Sequence, residues 1–298
     1  MFWKRKPKQK DDESTEAAAE AAVDVEEEAE EAGSEDTEQT SAETGERADT
    51  GKEDAGEDGA PEGESASGED AAEDDAGDVF ADDSEEVGVT GPDDGITRVR
   101  TSGTFEFDGE SYEVVANTWI VDADEDGVVV IDPGFDAEAI LEAVGKREIY
   151  LVACTNAYAP HIAGAIAVAE EGEADIALHP REMRLWRRYH GAEHRPEIEV
   201  EGEGSFQIGD LHIDVLALPG SSPGTVGYYV SALDAVFSGD TLRKGEPGMV
   251  GDTYIDYTTQ LASIGERLLS LPPTTRILPD RGPATTSGAE SKNFDDWV

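Results

Sequence analysis

Between Asp11 and Asp94 the chain offers Glu, Asp, Ala, Gly, Ser and Thr, and very few large apolar side chains. Such a stretch cannot bury enough apolar surface to offset the entropy of ordering its backbone, so folding is left to the residues beyond it. The sequence therefore divides into a disordered acidic N-terminal region, residues 1–94, with a short basic start, and one domain over residues 95–298. Within the acidic region "STEAAAEAAVDVEEEAEEA" has helical propensity, which its dense like charge opposes.

The formal net charge is -48, from 70 acidic and 22 basic side chains, and roughly half of the acids precede residue 95. The remainder stud the domain, whose bases are mostly Arg, a pattern that keeps a protein soluble when high salt screens self-repulsion. It reads as a halophile's cytoplasmic protein; an acidic chaperone-like or nucleic-acid-mimicking protein in ordinary salt is the alternative. Nucleic acid is excluded as a partner, because it is a polyanion held through Lys and Arg. The start, "MFWKRKPKQK" from Met1 to Lys10, pairs two aromatics with five basic residues and suits weak contact with an anionic membrane surface, a solvated tail being the plainer reading. It has no apolar core of a signal peptide, and no later run approaches the roughly 20 apolar residues of a transmembrane segment. The single cysteine, Cys154, excludes an internal disulfide and, in an apolar run, reads as a small core residue.

From Gly95 onward strand and helix patterns alternate. "TFEFDGESYEVV" is a hairpin around Asp108-Gly109, and "NTWIVDADEDGVVVIDPG" two strands turned through an acidic loop. "DAEAILEAVGKR" is an amphipathic helix behind an Asp cap, "IYLVACT" a buried strand, and "HIAGAIAVAEEGE" a helix packed through small residues. "DIALHP" is a strand, and "PREMRLWRRYHG" a helix with Pro180 early and Gly191 at its end. Strands in "SFQIGD", "LHIDVLALPG" and "VGYYVSALDAVFSGD" precede the helix "YTTQLASIGERLLSL", the strand "TRILPD" and a closing helix at "GAESKNFDDWV". This order describes a layered α/β domain of about 200 residues, able to bury roughly 70% of its surface.

Five stretches in order, "VVVIDPG", "CTNAYAPHIAG", "LPGSSPG", "FSGDTL" and "LPDRGPATT", resemble the metallo-β-lactamase fold hydrolases, especially their glyoxalase II-like branch. The resemblance covers nearly all of residues 95–298 and implies a four-layer αββα sandwich whose strand-end loops surround one or two zinc ions. In that family the first loop reads T-H-x-H-x-D-H-x-x-G, supplying the nitrogen and oxygen donors that suit zinc. Here its positions fall on Asn156, Tyr158, Pro160 and His161, so only the last histidine remains. Ser221 takes the place of the P-G-H histidine, Asp240 survives as the bridging aspartate, and G-H-G becomes Asp280, Arg281 and Gly282. Catalytic zinc needs three protein ligands and an open position for water, and His161 with Asp240 beside a guanidinium falls short of that. The glycines of "IDPG", "PGSSPG" and "SGDT" are expected to keep the tight turns that gather the loops, and Arg281 to pair with Asp240.

Plainer roles stand beside these. His161 begins a helix after Pro160, and Asp240 caps the turn after its strand. His179, His190, His194 and His212 fit no zinc spacing and read as surface or loop histidines. Arg184, Arg187, Arg188 and Arg195 suit local salt bridges, or an anionic partner. The first functional reading is a non-catalytic relative that keeps its pocket for a small-molecule or protein ligand and needs no cofactor. The second is a glyoxalase II-type thioester hydrolase with zinc in a weak or rearranged site. The third is a metal-free hydrolase using Ser221, His161 and Asp240 as a nucleophilic triad.

Overall fold

The computed structural model describes residues 77–248 and 256–298 of the chain. The acidic stretch up to residue 76, with the basic start at Met1–Lys10, lies outside the described residues. The domain itself begins before Gly95. Phe80 is fully buried, edge-on to Trp119 at 5.3 Å, and Asp78 accepts from its backbone N–H at 2.8 Å. Buried Arg98 donates to the Phe80 carbonyl at 2.9 Å and pairs with Asp82. One aromatic side chain and the ion pairs of Asp82 with Arg98 and Arg100 thus anchor a segment whose composition is otherwise that of a solvated linker.

The first sheet holds seven strands in chain order: β1 (Gly88–Asp93), β2 (Ile96–Phe107), β3 (Glu110–Asp122), β4 (Gly127–Ile131), β5 (Glu148–Ala153), β6 (Ile176–Leu178) and β7 (Ile198–Glu199). The β2–β3 hairpin turns at Asp108 (φ 49°) and Gly109 (φ 82°), the left-handed pair that matches strand twist. Its second arm is one continuous strand of 13 residues, running through both stretches that the sequence pattern separated. From β4 to β7 the pairing is parallel, and β4 reads as an unbroken apolar run because both of its faces are covered.

The second sheet comprises β8 (Ser205–Ile208), β9 (Leu211–Ala217), β10 (Val226–Val230), β11 (Ala235–Gly239), β14 (Arg276–Pro279) and β15 (Thr285–Thr286), with β11 parallel to β14. Between β11 and β14 a small ladder joins β12 (Leu242–Arg243) to β13 (Glu246–Pro247). The facing sheets enclose one core, with Trp119, Val129 and Ile131 from the first meeting Tyr228, Phe237 and Leu278 from the second.

On the outer face of the first sheet lie α1 (Ala137–Val144), α2 (Ala159–Ile162), α3 (Ala165–Gly172) and α4 (Met183–His190), packed through Ile140, Ile162, Val168 and Trp186 onto Val128, Val130 and Val152. Alternate residues of β4 therefore face opposite layers, as the strand's period of two requires. On the outer face of the second sheet α5 (Tyr257–Ser263) runs into the π turn Ile264–Leu268, which with Phe294 covers Val236 and Ile277, and α6 (Ser287–Glu290) lies near the C-terminus. These are the four αββα layers that the resemblance implies.

The stretch expected as one helix after Pro160 breaks between α2 and α3. A Cβ at Gly164 would stand 2.7 Å from the Gly134 carbonyl, and the Gly164 N–H donates to Pro133 at 3.0 Å, so the break lets two loops touch. Among the described residues no helix is long and apolar enough to cross a membrane.

Candidate functional site

Five chain segments leave the sheets at one end of the sandwich, and each delivers a polar side chain to the same buried volume. Asp132 follows β4, Thr155 and Asn156 follow β5, Ser221 precedes β10, Asp240 follows β11 and Asp280 follows β14. Backbone bonds gather these ends: Asp280 N–H donates to Gly239 at 2.9 Å, Asn117 N–H to Asp280 at 2.6 Å and Val226 N–H to Thr155 at 2.9 Å. Glycine makes the turns possible at two of them. Gly220 holds φ 154° with Gln260 backbone 2.5 Å from where a Cβ would lie, and Gly239 holds φ 56° against the Thr155 hydroxyl.

His161 sits at the centre of this cluster. Its Nδ1 lies 2.9 Å from Asp132 Oδ2 and 3.0 Å from Thr155 Oγ1, and its Nε2 lies 3.8 Å from Asp280 and 4.0 Å from Asp240. Burial by itself pushes the imidazole pKa down, but Asp132 hydrogen-bonded to the ring, with Asp240 and Asp280 behind it, outweighs burial and holds it at about 9. The ring is therefore a cation at neutral pH. Asp132 is fixed in turn by the Thr155 N–H and hydroxyl, both at 2.7 Å.

Two further cations converge on Asp280. Arg243 grips it with Nε at 3.0 Å and Nη2 at 3.1 Å, and Arg281 donates through Nε at 3.0 Å. Burial would raise the Asp280 pKa, yet Arg243, Arg281 and His161 together hold it far below the usual carboxylate range. Asp240 is pushed the other way, up, chiefly by burial. Its Oδ1 accepts from Ser221 Oγ at 2.6 Å and Asn156 Nδ2 at 2.8 Å, while Oδ2 has no hydrogen-bond partner among the described residues.

The family's ligand positions are thus brought together but tied up with one another. Arg281 pairs with Asp280, correcting the expected pair with Asp240: Asp280 lies next to it in the chain and reaches its Nε directly. Tyr158 turns inward to donate to the Ser221 carbonyl at 3.0 Å, its ring against Phe105 and Phe107, and Pro160 lies buried in the first turn of α2. His161 is in α2 as expected, with its ring directed inward. Ser221, His161 and Asp240 do meet, but the carboxylate stands between hydroxyl and imidazole. Ser221 Oγ donates to Asp240 and touches Thr225 at 2.9 Å, so the proton relay of a triad, which needs the imidazole in the middle, is not formed.

The sequence reading assigned no role to Asp132, Glu182, Arg243 or Asp280. Glu182, in the 3₁₀ turn Pro180–Glu182, is fully buried and accepts from Ser222 Oγ at 2.6 Å, Gly224 N–H at 2.8 Å and Ala157 N–H at 3.2 Å. It staples the Thr155–Gly164 loop to the Gly220–Thr225 loop, and burial holds its pKa above the ordinary glutamate value. An acid closing an apolar strand was a visible signal for Asp132 and Asp280; nothing local marks Glu182 or Arg243. Of the remaining histidines, His194 and His212 are exposed as expected, whereas His190 is half-buried, 2.8 Å from the Ile162 carbonyl and over Trp186. Arg195 forms a local pair with Glu199 at 3.0 Å.

No group of three or more His, Cys, Asp or Glu side chains among the described residues is arranged to hold a metal ion. Comparison with known proteins places this geometry in context. The sequence profile of the Metallo-beta-lactamase superfamily matches residues 111–281. The probable metallo-hydrolase YqgX of Bacillus subtilis is 33% identical over 186 residues, 58% of this chain and 87% of that protein. The hydroxyacylglutathione hydrolase GloC of Haemophilus influenzae is 25% identical over 185 residues, 57% of this chain and 87% of its own. Among solved structures, TTHA1623 in a di-iron-bound form aligns with a TM-score of 0.53 at 31% identity, over 60% of this chain and 93% of that one. The BLEG-1 B3 metallo-beta-lactamase aligns with a TM-score of 0.57 at 26% identity, over 66% of this chain and all of the other.

Proposed function

The chain belongs to the metallo-β-lactamase superfamily, a family of hydrolases, and from that premise we propose that it is a non-catalytic member, serving ligand binding or interaction in the cytoplasm of a salt-rich cell. The observation that carries this reading is the charge of the buried cluster. Asp132, Asp240 and Asp280 face protonated His161, Arg243 and Arg281, three carboxylates against three cations, joined by the hydrogen bonds of Asp132 and Asp280 and by the longer approaches of His161 Nε2, 3.8 Å from Asp280 and 4.0 Å from Asp240. A pair of dications added there would meet fixed guanidinium groups that cannot be deprotonated.

The donor set does not fit a dinuclear zinc site. Of the positions that bind metal in the family motif, Asn156, Tyr158, Pro160, Ser221 and Arg281 supply weak donors, none, or a cation. His161 would first have to lose a proton held up to about pH 9. Nor do Asp132, His161, Asp240 and Asp280 reach solvent, being 0–2% exposed, where an attacking water and a substrate would have to enter.

A metal-dependent hydrolase with a single rearranged cation is the second reading. What favours it is the unpartnered Asp240 Oδ2, facing His161 Nε2 at 4.0 Å. Elemental mass spectrometry separates the two, on untagged full chain purified in molar potassium chloride with zinc present throughout. Background metal, with no hydrolysis of thioesters, is expected. Near-stoichiometric zinc that is lost in Asp240→Ala would overturn the first reading and support the second.

A further inference from the structure

Beside the closed cluster lies an open cavity of about 340 Å³, within the usual size of a small-molecule site. Its lining includes Ser84, Arg100, Ser102, Glu113, Asn117 and Arg281, with Val114 and Val115 as apolar wall. We propose that this cavity binds a small α-amino carboxylate, of the size of a single amino acid, an assignment that rests on the reading that Arg281 faces no metal.

The argument starts from unmatched polar atoms. Asn117 is 1% exposed, and its amide nitrogen donates to the carbonyls of Pro279 and Gly282, both at 3.0 Å. Those two bonds fix which way the amide points, so Oδ1 is an acceptor, and it has no partner among the described residues. A buried acceptor left in that state calls for a donor from outside the protein.

The cations supply the opposite half. Arg281 spends only its Nε on Asp280 and rests over the Phe105 ring at 5.8 Å, which steadies the guanidinium while its two terminal nitrogens bond nothing among the described residues. Arg100 is held by Asp82 and the Ser84 carbonyl through Nη1, and its Nε is likewise unpartnered. Two guanidinium groups with N–H to spare suit a carboxylate, which accepts paired bonds from such a fork.

One molecule answers both demands when it carries a carboxylate and, a bond or two away, a charged amine. The carboxylate would meet Arg281 and Arg100, and the ammonium would meet Asn117 Oδ1 with the Glu113 carboxylate nearby on the cavity wall. Glu113 also explains the preference over a plain anion: with Glu85 it brings the lining's formal charge to zero, two acids against two arginines. A dicarboxylate or phosphate would leave the acceptors unmet and face those acids. The side chain would lie along Val114 and Val115.

The test is isothermal titration calorimetry on the full chain, dialysed against chelator, with the twenty free amino acids as probes and the amide and N-acetyl derivatives of any that bind. The expected result is saturable one-site binding of at least one amino acid. It should weaken tenfold or more on amidation and in Arg281→Gln, the loss of about one charge-assisted pair. Because Arg281→Gln disturbs the neighbouring ion network, Ser102→Trp serves as a second variant that fills the exposed mouth without touching it, and is expected to abolish binding. Absence of binding up to about 10 mM by folded protein, or equal binding of the amide, would overturn the assignment. Metal content is an independent readout: background metal with no amino-acid binding removes only this inference, and stoichiometric zinc removes the reading beneath it.

Discussion

Asp280 accepts two parallel hydrogen bonds from Arg243, at 3.0 and 3.1 Å, across 37 residues of chain. The pair closes the end of the second sheet where β12 meets β14, and Asp280 is 2% exposed. Removing one partner of a buried ion pair strands the other, at about 3–5 kcal/mol. Asp280→Asn is expected to lower unfolding free energy by about that amount in urea titrations. A loss under about 1 kcal/mol would mean the pair is screened as at a surface.

His161 makes stability depend on pH in a definite direction. Its folded value of about 9 lies above the 6.5 of a free imidazole, so the native state binds the proton more tightly. The stabilisation is fully present below about pH 6.5, declines above it and is lost as pH rises through 9, on the order of 3 kcal/mol in all. Unfolding measured from pH 6 to 10 should show this loss, and His161→Gln should flatten it. Ring-proton NMR should find the midpoint near 9.

The three donors held by Glu182 give a third expectation. Glu182→Ala leaves the N–H groups of Ala157 and Gly224 and the Ser222 hydroxyl without their acceptor. Each unmet buried group costs about 1–3 kcal/mol, so the variant should be destabilised by several kcal/mol, and Glu182→Gln, which keeps one carbonyl oxygen, by clearly less. Equal loss in both would assign the effect to charge instead of to the hydrogen bonds.

The succession of strands and helices, the hairpin at Asp108-Gly109 and the Asp136 cap were legible because each is encoded locally, in strand alternation, turn residues and capping chemistry, whereas the four-layer order came from the family resemblance. The departures from the family motif at Asn156, Tyr158, Pro160, Ser221 and Arg281 were legible because motif positions are fixed along the chain. What fills the site was not, since Arg243 and Asp280 are 37 residues apart and Glu182 lies in a turn with no motif around it. Phe80 was missed for the opposite reason: its neighbours are acids, and a single buried ring does not alter a composition.

Restoring the family's donors tests whether the frame still has room for metal. A chain carrying Asn156→His, Tyr158→His, Pro160→Asp, Ser221→His and Arg281→His is expected to take up zinc that the parent does not, as read by elemental mass spectrometry. Failure by a folded variant would mean that Arg243, still bound to Asp280, blocks the site.

Gly220 provides a check on the loop that carries Ser221. With φ 154° and Gln260 backbone 2.5 Å from a would-be Cβ, Gly220→Ala must shift backbone against α5. Destabilisation of about 2 kcal/mol or more is expected, well beyond the usual surface substitution. Gly191→Ala, also at positive φ but in open space, should lose less.

Glu182 is itself at none of the positions where the family motif places a metal ligand, although it holds Ala157 and Ser222 beside them. The two loops it joins are therefore bracketed by a carboxylate outside that motif, and their tips could exchange residues one at a time without the domain coming apart. A lineage with such a bracket can give up an inherited reaction and keep the vessel, which leaves an intact scaffold on which selection can work for another purpose.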